Sequence, residues 1–356
     1  MRSFVEINGR GIGSKYPVYI VAEMSGNHNQ VFGDALKIIE AAKEAGADAV
    51  KIQTYTPDTL TIKCSNEYFS LGKGTIWEGR NLYDLYSAAY TPWEWQPKLK
   101  ERAKELGLDL FSTAYDATAV DFLETMDIPA YKIASFEIVD LPLLRQIAKT
   151  GKPIILSTGM ATLAEIDKAV HTIWETGANP LVLLKCTSAY PAPPEEMNLR
   201  TIPHLAAAFG VPVGLSDHTL DAAVPVAAVA LGACIIEKHF TLSRTTPGPD
   251  SAFSLEPPEF KAMVDAVRVA EKAVGGISYA VTEKEAASRV FRRSLFVVQD
   301  MLPGDVFKPA NVQAIRPGHG LHTRYLENVL GRRASQAIKR GTPLSWNLVG
   351  DVGNGE

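Results

Sequence analysis

Two histidines stand where apolar, β-rich runs of this chain end, and together they could bind a metal ion. His218 follows the run 211–215, His239 follows the run 234–236, and the helix-compatible run 222–231 lies between them. If both runs are neighbouring parallel strands, the imidazoles lie side by side at the strand ends where α/β folds carry out chemistry. Two neutral imidazoles with open positions suit a divalent metal that also binds substrate oxygens. The alternative is two unrelated polar residues at strand ends.

Lysines and hydroxyl groups stand at similar positions and predict an anion site. If alternate strands share one interior layer, four lysines crowd together there and need anions to keep their protons. These lysines are Lys51, Lys132, Lys185 and Lys238. The hydroxyl groups are those of Ser112, Thr113, Ser135, Ser157, Thr158, Ser188 and Ser216. Together with helix N-termini they predict a phosphate ester as ligand. Alternatively, a strand-end hydroxyl only caps the following helix, which we expect of about half of them.

Carboxylates accompany these groups and could move protons. They are Glu23, Glu137, Asp217, Glu237 and Asp250. A carboxylate near a metal and a phosphate can position a water or hydroxyl group and carry its proton. Asp217 and Glu237 could equally orient the histidines or form structural salt bridges. A phosphate site beside a metal predicts that an aldehyde is polarised while a phosphorylated partner supplies the nucleophile.

The elements that must position these residues alternate between strand and helix eight times. Such alternation implies a parallel sheet, and eight units over this length imply a closed (β/α)8 TIM barrel. The predicted strands are 18–22, 49–53, 108–112, 130–133, 153–157, 181–185, 213–216 and 234–238. The predicted helices are 34–45, 91–106, 117–126, 141–149, 161–176, 201–209, 221–231 and 258–274, the second capped by Thr91 before Pro92. A doubly wound open sheet is the alternative, although no Gly-x-Gly-x-x-Gly follows any strand.

Two segments of the chain are additions to a minimal (β/α)8 barrel. Residues 54–90 form a long connection rich in aromatic residues, which is typical of a functional lid, although it could also pack against the barrel rim. Gly72, Gly74 and Gly79 in this connection favour mobility. We therefore predict a catalytic barrel over 1–275, a linker over 276–290, and a small β-rich domain over 291–356.

The bulk composition excludes several classes of protein. The 356 residues are 46% hydrophobic and 21% charged, with a formal net charge of -4, which disfavours a nucleic-acid scaffold. The three cysteines lack paired or metal-type spacing, so we expect reduced thiols in a cytoplasmic protein. The N-terminus lacks an apolar signal core, and the longest apolar run is too short and interrupted to span a bilayer. We expect neither a nucleic-acid nor a membrane partner.

Several motifs, in order across almost the whole chain, resemble the sialic acid synthase family. They are Ala22-Glu-Met-Ser-Gly-Asn-His-Asn29, Lys51-Ile-Gln-Thr54, Tyr131-Lys-Ile-Ala-Ser135, Ser157-Thr-Gly159, Lys185-Cys-Thr-Ser-Ala-Tyr-Pro191, Gly214-Leu-Ser-Asp-His218, Glu237-Lys-His239 and Arg316-Pro-Gly318. The C-terminal part resembles the antifreeze-like (SAF) domain of that family. The resemblance implies condensation of phosphoenolpyruvate with a six-carbon amino-sugar aldehyde to a nine-carbon 2-keto acid and phosphate.

The resemblance also implies roles for individual residues. It places a Mn²⁺, Mg²⁺ or Co²⁺ ion on His218 and His239, and it gives Glu137 the water or its proton. Around phosphoenolpyruvate it places Lys51, Thr113, Lys132, Ser135, Ser157 and Ser216. The residues expected to face the sugar are Glu23, Tyr190 and Asp250. Arg316 of a partner chain would reach the N-acyl group, which implies a domain-swapped homodimer. Ser188, also expected near the phosphate, replaces the Asn of the sialic acid synthases.

The long connection also bears on the branch of the family. Leu71 to Tyr86, followed by Tyr90-Thr-Pro-Trp-Glu-Trp95, resembles the branch that makes pseudaminic acid from 2,4-diacetamido-2,4,6-trideoxy-L-altrose. That sugar lacks a 6-hydroxyl group, which suits an aromatic-lined lid. Alternatives are a neuraminate or legionaminate synthase that uses a D-mannose-type N-acyl sugar, a metal-dependent barrel hydrolase, and a non-catalytic sugar-binding protein. The hydrolase would need a His-x-His pair on the first strand, where this chain has only His28.

Overall fold

The computed structural model describes residues 4–72, 76–177 and 179–352. The chain divides into two compact units, Met1–Gly275 and Gly276–Glu356, and each is described by itself. Gly74 and residues 353–356, which belong to the predicted lid and small domain, lie outside the described residues.

Eight parallel strands of the first unit close into a barrel, which confirms the predicted fold. The strands are β3 (Tyr19–Glu23), β4 (Ala49–Thr54), β5 (Asp109–Ala114), β6 (Tyr131–Ile133), β7 (Ile154–Ser157), β8 (Leu181–Cys186), β9 (Val213–Asp217) and β10 (Ile235–His239). Around the ring the order is β10, β3, β4, β5, β6, β7, β8 and β9. All eight consist of buried residues apart from the half-buried Gln53, as expected for a parallel sheet that is covered on both faces.

Helices follow the barrel strands and surround them. They are α1 (Phe32–Glu44), α4 (Gln96–Glu105), α5 (Ala117–Thr125), α6 (Leu141–Lys149), α7 (Leu163–Thr176), α8 (Thr201–Phe209), α9 (Ala223–Ala230) and α10 (Pro257–Val274). Local sequence explains several starts: Thr162 and Glu165 form a capping box at α7, and Asp116 accepts backbone N–H groups at α5. Their apolar faces and the outward strand residues form the larger core.

A hairpin that the sequence did not predict precedes the barrel. It pairs β1 (Phe4–Ile7) antiparallel with β2 (Arg10–Gly13). Val5, Ile7 and Ile12 join the same buried cluster as the inward residues of the barrel strands. The hairpin therefore extends the apolar interior, and the polar side chains of the interior belong to the other, C-terminal ends of the strands.

The structure corrects the expected start of the second barrel helix. Helix α4 begins at Gln96, after a short 3-10 helix over Trp93–Trp95, and the proline of its first turn is Pro97. The Thr91 hydroxyl group does not cap a helix there but lies 3.1 Å from Nε2 of His28. A buried partner on another loop therefore competes successfully for this hydroxyl group.

The connection after β4 has more structure than the sequence suggested. It contains α2 (Pro57–Leu60), a 3-10 helix (Glu67–Phe69) and α3 (Leu82–Ala89). Thr56 caps α2, and Asn81 caps α3 through the backbone N–H of Tyr83. These two helices contact one another, so the segment is a folded substructure in the described ranges.

The second unit is small and rich in short strands. Its antiparallel pairs are β11 (Ser294–Val297) with β12 (Val312–Ile315), and β13 (Arg332–Ala334) with β14 (Val349–Val352). It also contains α11 (Glu283–Ala287), α12 (Leu326–Val329) and its own apolar core. The three cysteines of the chain all lie in the first unit and are free thiols. Among the described residues no helix is both long and apolar enough to cross a membrane.

Candidate active site

A cavity of about 430 Å³ lies at the C-terminal ends of the barrel strands. It brings together most of the residues that the sequence had singled out for chemistry. They are Lys51, Lys132, Ser135, Glu137, Ser157, Tyr190, Ser216, His218, His239 and Asp250. The two candidate metal ligands and the candidate anion-binding groups therefore share one chamber.

Strand alternation decides which lysines reach the cavity. Side chains alternate between the faces of a strand, and Lys51 and Lys132 occupy inward positions. Lys185 and Lys238 do not, which makes the expected layer of four lysines wrong. Their Nζ atoms have partners on the helix-facing side. Lys185 donates to the carbonyl oxygen of Cys186 at 2.7 Å, and Lys238 forms an ion pair with the Asp217 carboxylate. The inward positions beside them belong to Cys186 and Glu237.

Lys51 lies between two buried carboxylates. Its Nζ is 2.8 Å from Oε2 of Glu23 and 2.8 Å from Oε1 of Glu237. Burial lowers the pKa of Lys51 to about 8, although Glu237 opposes the change. Burial raises the pKa of Glu237, but Lys132 and Lys51 outweigh it and bring the pKa to about 2. This end of the cavity therefore holds a fixed arrangement of charge rather than loose ion pairs.

Lys132 and neighbouring hydroxyl groups also line the cavity. Its Nζ donates to Ser157 Oγ at 2.8 Å and to the carbonyl of Ile133 at 2.9 Å, and no carboxylate of the described residues lies within 4.0 Å. Nearby, the hydroxyl oxygens of Ser135 and Ser188 are 2.9 Å apart. An ammonium group with uncharged partners and three hydroxyl groups matches the predicted site for a phosphate or carboxylate.

Gly159 keeps this hydroxyl cluster open. The residue has φ +47°, and a Cβ there would meet Ser135 and lie 2.7 Å from Ser188 Oγ. The site thus requires a residue without a side chain directly after the Ser157-Thr158 strand end.

The family resemblance assigns these hydroxyl groups to phosphoenolpyruvate, so Gly159→Ala is expected to raise KM for that substrate about 10- to 100-fold, because the added methyl group displaces hydroxyl groups that would bind the charged ligand. KM for the sugar should change much less. Steady-state kinetics with each substrate varied in turn would measure both values. Gly151→Ala is the matched control, since Gly151 has φ +72° with open space around it. This substitution therefore adds backbone strain without a steric contact. An unchanged KM for phosphoenolpyruvate would contradict the assignment.

The geometry of His218 and His239 fits a shared divalent ion. Their ring centroids are 5.4 Å apart, a separation that metal–nitrogen bonds of about 2 Å can bridge. Nδ1 of His218 lies 2.8 Å from the carbonyl of Thr187, so an N–H there leaves Nε2 free as a ligand. Nδ1 of His239 is buried without a hydrogen-bond partner among the described residues.

The protonation states of these histidines agree with that fit. Burial lowers the pKa of His218 to about 4, and burial together with the neighbouring His218 lowers the pKa of His239 well below its usual value. Both rings are thus neutral near pH 7, the form that binds a metal. In the described ranges, no three histidine, cysteine or acidic side chains form a ready-made metal site.

Two further carboxyl groups line the cavity and differ in environment. Burial raises the pKa of Glu137 to about 7, and the more distant Lys132 only partly opposes this. Asp250 accepts hydrogen bonds from the Ser25 hydroxyl group and, at 3.3 Å, from the Gly26 N–H. Burial still raises its pKa. The pKa of Glu137 therefore suits proton transfer near neutral pH.

Aromatic rings border the histidines. The Tyr190 ring centroid lies 4.2 Å from that of His218, and Phe253 lies 4.8 Å from His239. Trp77, from the long connection, lies 5.6 Å from Tyr190 and donates its indole N–H to Pro249 O at 2.7 Å. The connection thus reaches the catalytic rim and closes part of the cavity.

Other predicted site residues lie outside the cavity wall. Glu23 is fully buried; in addition to its ion pair with Lys51, it accepts a hydrogen bond from the Ser25 N–H at 2.9 Å. Thr113 pairs in register with Lys132 and has a buried hydroxyl group without a partner in the described chain. Ser188 lies against Ser135. Arg316 follows β12 in the second unit, where its side chain is exposed.

The structure also adds residues that sequence reasoning missed. Ser25, Gln53, Cys186 and Phe253 all line the cavity. Gln53 donates to Ser25 Oγ at 2.9 Å and links the ends of β3 and β4. Gln53 lies two positions after Lys51, and this same-face spacing could have identified it. Phe253 follows the last strand by more than ten residues, and no sequence signal marked it.

His28 proved to be structural. It is fully buried, its Nδ1 accepts from the Gln30 N–H at 3.1 Å, and its Nε2 contacts Thr91. Burial lowers its pKa to about 4. These contacts fix the loop that carries His28.

Comparison with known proteins agrees with this geometry. The model of the NeuB family matches residues 38–279, and the SAF domain model matches residues 292–350. The chain belongs to the NeuB family. The expected family and the expected SAF domain are thus confirmed.

Within the NeuB family, similar relatives are named pseudaminic acid synthase. The one from Campylobacter jejuni is 49% identical over 92% of this chain and 95% of its own length. The one from Helicobacter pylori is 44% identical over 92% and 97%. Among solved structures, the spore coat polysaccharide biosynthesis protein spsE of Bacillus subtilis covers 97% of this chain and 99% of its own, at 35% identity and a TM-score of 0.67. These similarities support the predicted branch.

Proposed function

We propose that the chain condenses phosphoenolpyruvate with 2,4-diacetamido-2,4,6-trideoxy-L-altrose and water to give pseudaminic acid and phosphate. The observation that carries the proposal is one cavity that holds Lys132 with its hydroxyl groups beside His218 and His239. A phosphate-bearing nucleophile and a separate aldehyde substrate could therefore meet in this cavity. Relatives named for this product, over nearly the full length of the chain, support the choice of sugar.

Phosphoenolpyruvate would bind at the cationic part of the cavity. Lys132, Ser135 and Ser157 offer donors to its anionic groups, and Thr113 and Ser216 lie beside them in the barrel interior. Lys51 would contribute charge from its place between Glu23 and Glu237. Since those contacts occupy Glu23, we propose that Glu23 acts on the substrates through Lys51. The predicted contact of Ser188 with the phosphate would be shared with Ser135.

A divalent metal ion, Mn²⁺, Mg²⁺ or Co²⁺, would be held by His218 and His239. When bound, such an ion withdraws electron density from the aldehyde oxygen and stabilises the alkoxide that develops there. The two neutral rings, and the carbonyl of Thr187 that orients His218, are the features of the chain that suit it. Tyr190 and Asp250 would hold the sugar next to these rings.

The reaction balances with the groups present. C3 of phosphoenolpyruvate forms a bond to the aldehyde carbon, and water adds to C2 of the resulting cation. The added water loses one proton, for which Glu137 is the proposed acceptor, and the alkoxide formed from the aldehyde takes up one proton to become a hydroxyl group. Breakage of the bond between C2 and the phosphate oxygen then releases phosphate, which takes the second proton of the added water as the C2 hydroxyl group becomes the ketone of the 2-keto acid.

Glu137 predicts a pH dependence. Because its pKa is raised to about 7, a base role requires the carboxylate, and kcat should fall as the pH decreases through about 7. In Glu137→Gln this limb should be absent, and the remaining rate should be at least about 100-fold lower. A pH series of kcat for both proteins is the measurement. A wild-type rate that falls instead as the pH rises through 7 would assign Glu137 as the acid and reject the base role.

Arg316 provides a test of the proposed domain-swapped homodimer. Arg316→Ala should raise KM for the sugar about 10- to 100-fold through loss of a charged donor and leave KM for phosphoenolpyruvate nearly unchanged. If Arg316 acts in the partner's site, co-assembly of Arg316→Ala and His218→Ala chains should restore one intact site per mixed dimer. At low sugar concentration this predicts roughly a quarter of wild-type activity in a one-to-one mixture. No recovery in verified mixed dimers would contradict action in trans.

Phosphate release separates the proposal from its alternatives. It should require phosphoenolpyruvate, a divalent metal and the L-altrose sugar together. Release that needs only a phosphate ester would favour a hydrolase, and sugar binding without release would favour a binding protein. The free thiols suit a reducing compartment, and we propose that the reaction is cytoplasmic.

A further inference from the structure

The cavity has two chemically different sides. Its charged and hydrogen-bonding residues come from the barrel strands and the loops that follow them. Residues 55–72 and 76–89 cover it from the other side, and we call their cavity-lining members the roof. Within the described ranges, every member of the roof is apolar or aromatic, namely Tyr55, Leu60, Leu71, Trp77, Leu82, Leu85, Tyr86 and Ala89.

Charged residues of the described part of the same segment lie away from the cavity. Glu78, Arg80 and Asp84 are neighbours of roof residues in sequence, and all three are exposed. Helix α3 shows the separation on one element, since Leu85 is buried against the cavity while Asp84 faces solvent. Among the described residues, the roof therefore offers the side-chain hydroxyl groups of two tyrosines for hydrogen bonds, because the indole N–H of Trp77 is already bonded to Pro249.

Contacts with the barrel fix the roof in place. Trp77 binds the loop that carries Asp250 and packs 6.3 Å from Phe253, which in turn borders His239. At the other end, Tyr55 packs edge-on against Tyr86 and Tyr115 at 5.8 and 5.1 Å. A substrate that binds the strand-end groups must consequently present its far side to this apolar surface.

We propose that the roof selects the sugar: it receives the methyl group of a 6-deoxy sugar and disfavours the hydroxymethyl group of a 6-hydroxy sugar. This inference rests on the proposed function and assigns its specificity to particular residues. Burial of a methyl group against an apolar surface is favourable in free energy. A buried hydroxyl group instead loses its hydrogen bonds to water and gains no new partner. Apolar pockets reject an added hydroxyl group by up to about 100-fold, so we expect a preference of about 10- to 100-fold in kcat/KM.

The test compares 2,4-diacetamido-2,4,6-trideoxy-L-altrose with its counterpart that carries a 6-hydroxyl group. Leu71→Gln and Leu82→Gln add a hydrogen-bonding amide to the roof, and each should reduce the preference to less than about 3-fold. The matched control is Ile62→Gln, because Ile62 belongs to the same segment, is 59% exposed and does not line the cavity. The control should keep the wild-type preference, and KM for phosphoenolpyruvate should stay constant in all variants.

The outcomes separate this inference from the proposed function. Equal kcat/KM for the two sugars in the wild type, or an undiminished preference in both variants, overturns the role of the roof while condensation itself stands. Phosphate release with neither sugar overturns the proposed function instead. Binding of phosphoenolpyruvate by each variant verifies an intact barrel. Leu71 and Leu82 lie on different parts of the segment, so a folding defect in one leaves the other variant decisive.

Discussion

His218→Ala is expected to lower kcat at least about 1,000-fold while the affinity for phosphoenolpyruvate stays within a few-fold of the wild type. The imidazole is proposed to act where charge develops on the aldehyde oxygen, so its removal costs transition-state stabilisation. The phosphate donors lie on other residues, chiefly Lys132 and Ser157. Single-turnover phosphate release and calorimetric titration with phosphoenolpyruvate would measure the two effects separately.

A surface histidine provides the control for this substitution. His171 lies on α7 with its side chain about half exposed, and His171→Ala should retain wild-type kinetics. Removal of divalent metal with a chelator should reproduce the loss seen in His218→Ala, and added Mn²⁺ should restore only the wild type. Full activity of metal-free enzyme would reject the metal role. A parallel loss of phosphoenolpyruvate affinity in His218→Ala would show that the histidine acts on phosphoenolpyruvate and not on the aldehyde, which would contradict the proposal.

Lys132→Met is expected to weaken phosphoenolpyruvate binding about 100- to 1,000-fold. Lys132 is 1% exposed and donates hydrogen bonds to uncharged oxygens, with Glu237 as a more distant opposite charge, so the anionic substrate would supply its nearest charged partner. Loss of one member of a buried charge pair costs about 3–5 kcal/mol, which corresponds to that factor or more. Calorimetric titration and the dependence of the rate on phosphoenolpyruvate concentration would measure the change.

Lys185→Met is the matched control for Lys132→Met. Lys185 is a buried lysine near a strand end too, but its Nζ lies 2.7 Å from Cys186 O and 3.0 Å from Thr187 Oγ1, outside the cavity. Its substitution should leave phosphoenolpyruvate affinity unchanged after correction for any loss of stability. Equal effects of the two substitutions would contradict the assignment of Lys132 as the anion-binding lysine.

The sequence predicted the barrel well because each strand is a short apolar run that ends in polar residues. The predicted strand at 213–216 corresponds to Val213–Asp217, and the one at 234–238 corresponds to Ile235–His239. The placement of His218 and His239 followed from these ends, since parallel strands present them at one rim.

The sequence did not show in the same way which strand residues face the barrel interior and which face the helices. Both faces of a parallel strand are buried, so apolar pattern does not distinguish the interior from the helix-facing side. In Glu237-Lys238-His239 three polar residues follow one another, and the lysine faces outward because it pairs with Asp217. That contact depends on the register between β9 and β10, which the sequence does not reveal.

Features that depend on distant contacts also escaped sequence reasoning. The β1–β2 hairpin has strands of four residues, and its position depends on packing against the barrel interior. Thr91 has the pattern of a helix cap but bonds His28 from another loop. Phe253 reaches the cavity through a long irregular loop, for which periodicity gives no signal.

The product formed from phosphoenolpyruvate and an equal mixture of the L-altrose sugar and an N-acyl D-mannose-type sugar tests the central claim most directly. Mass spectrometry of the 2-keto acids, with phosphate measured in the same sample, should show mainly the nine-carbon acid from the L-altrose sugar and an equimolar amount of phosphate. A dominant product from the D-mannose-type sugar, or no new acid at all, would contradict the account.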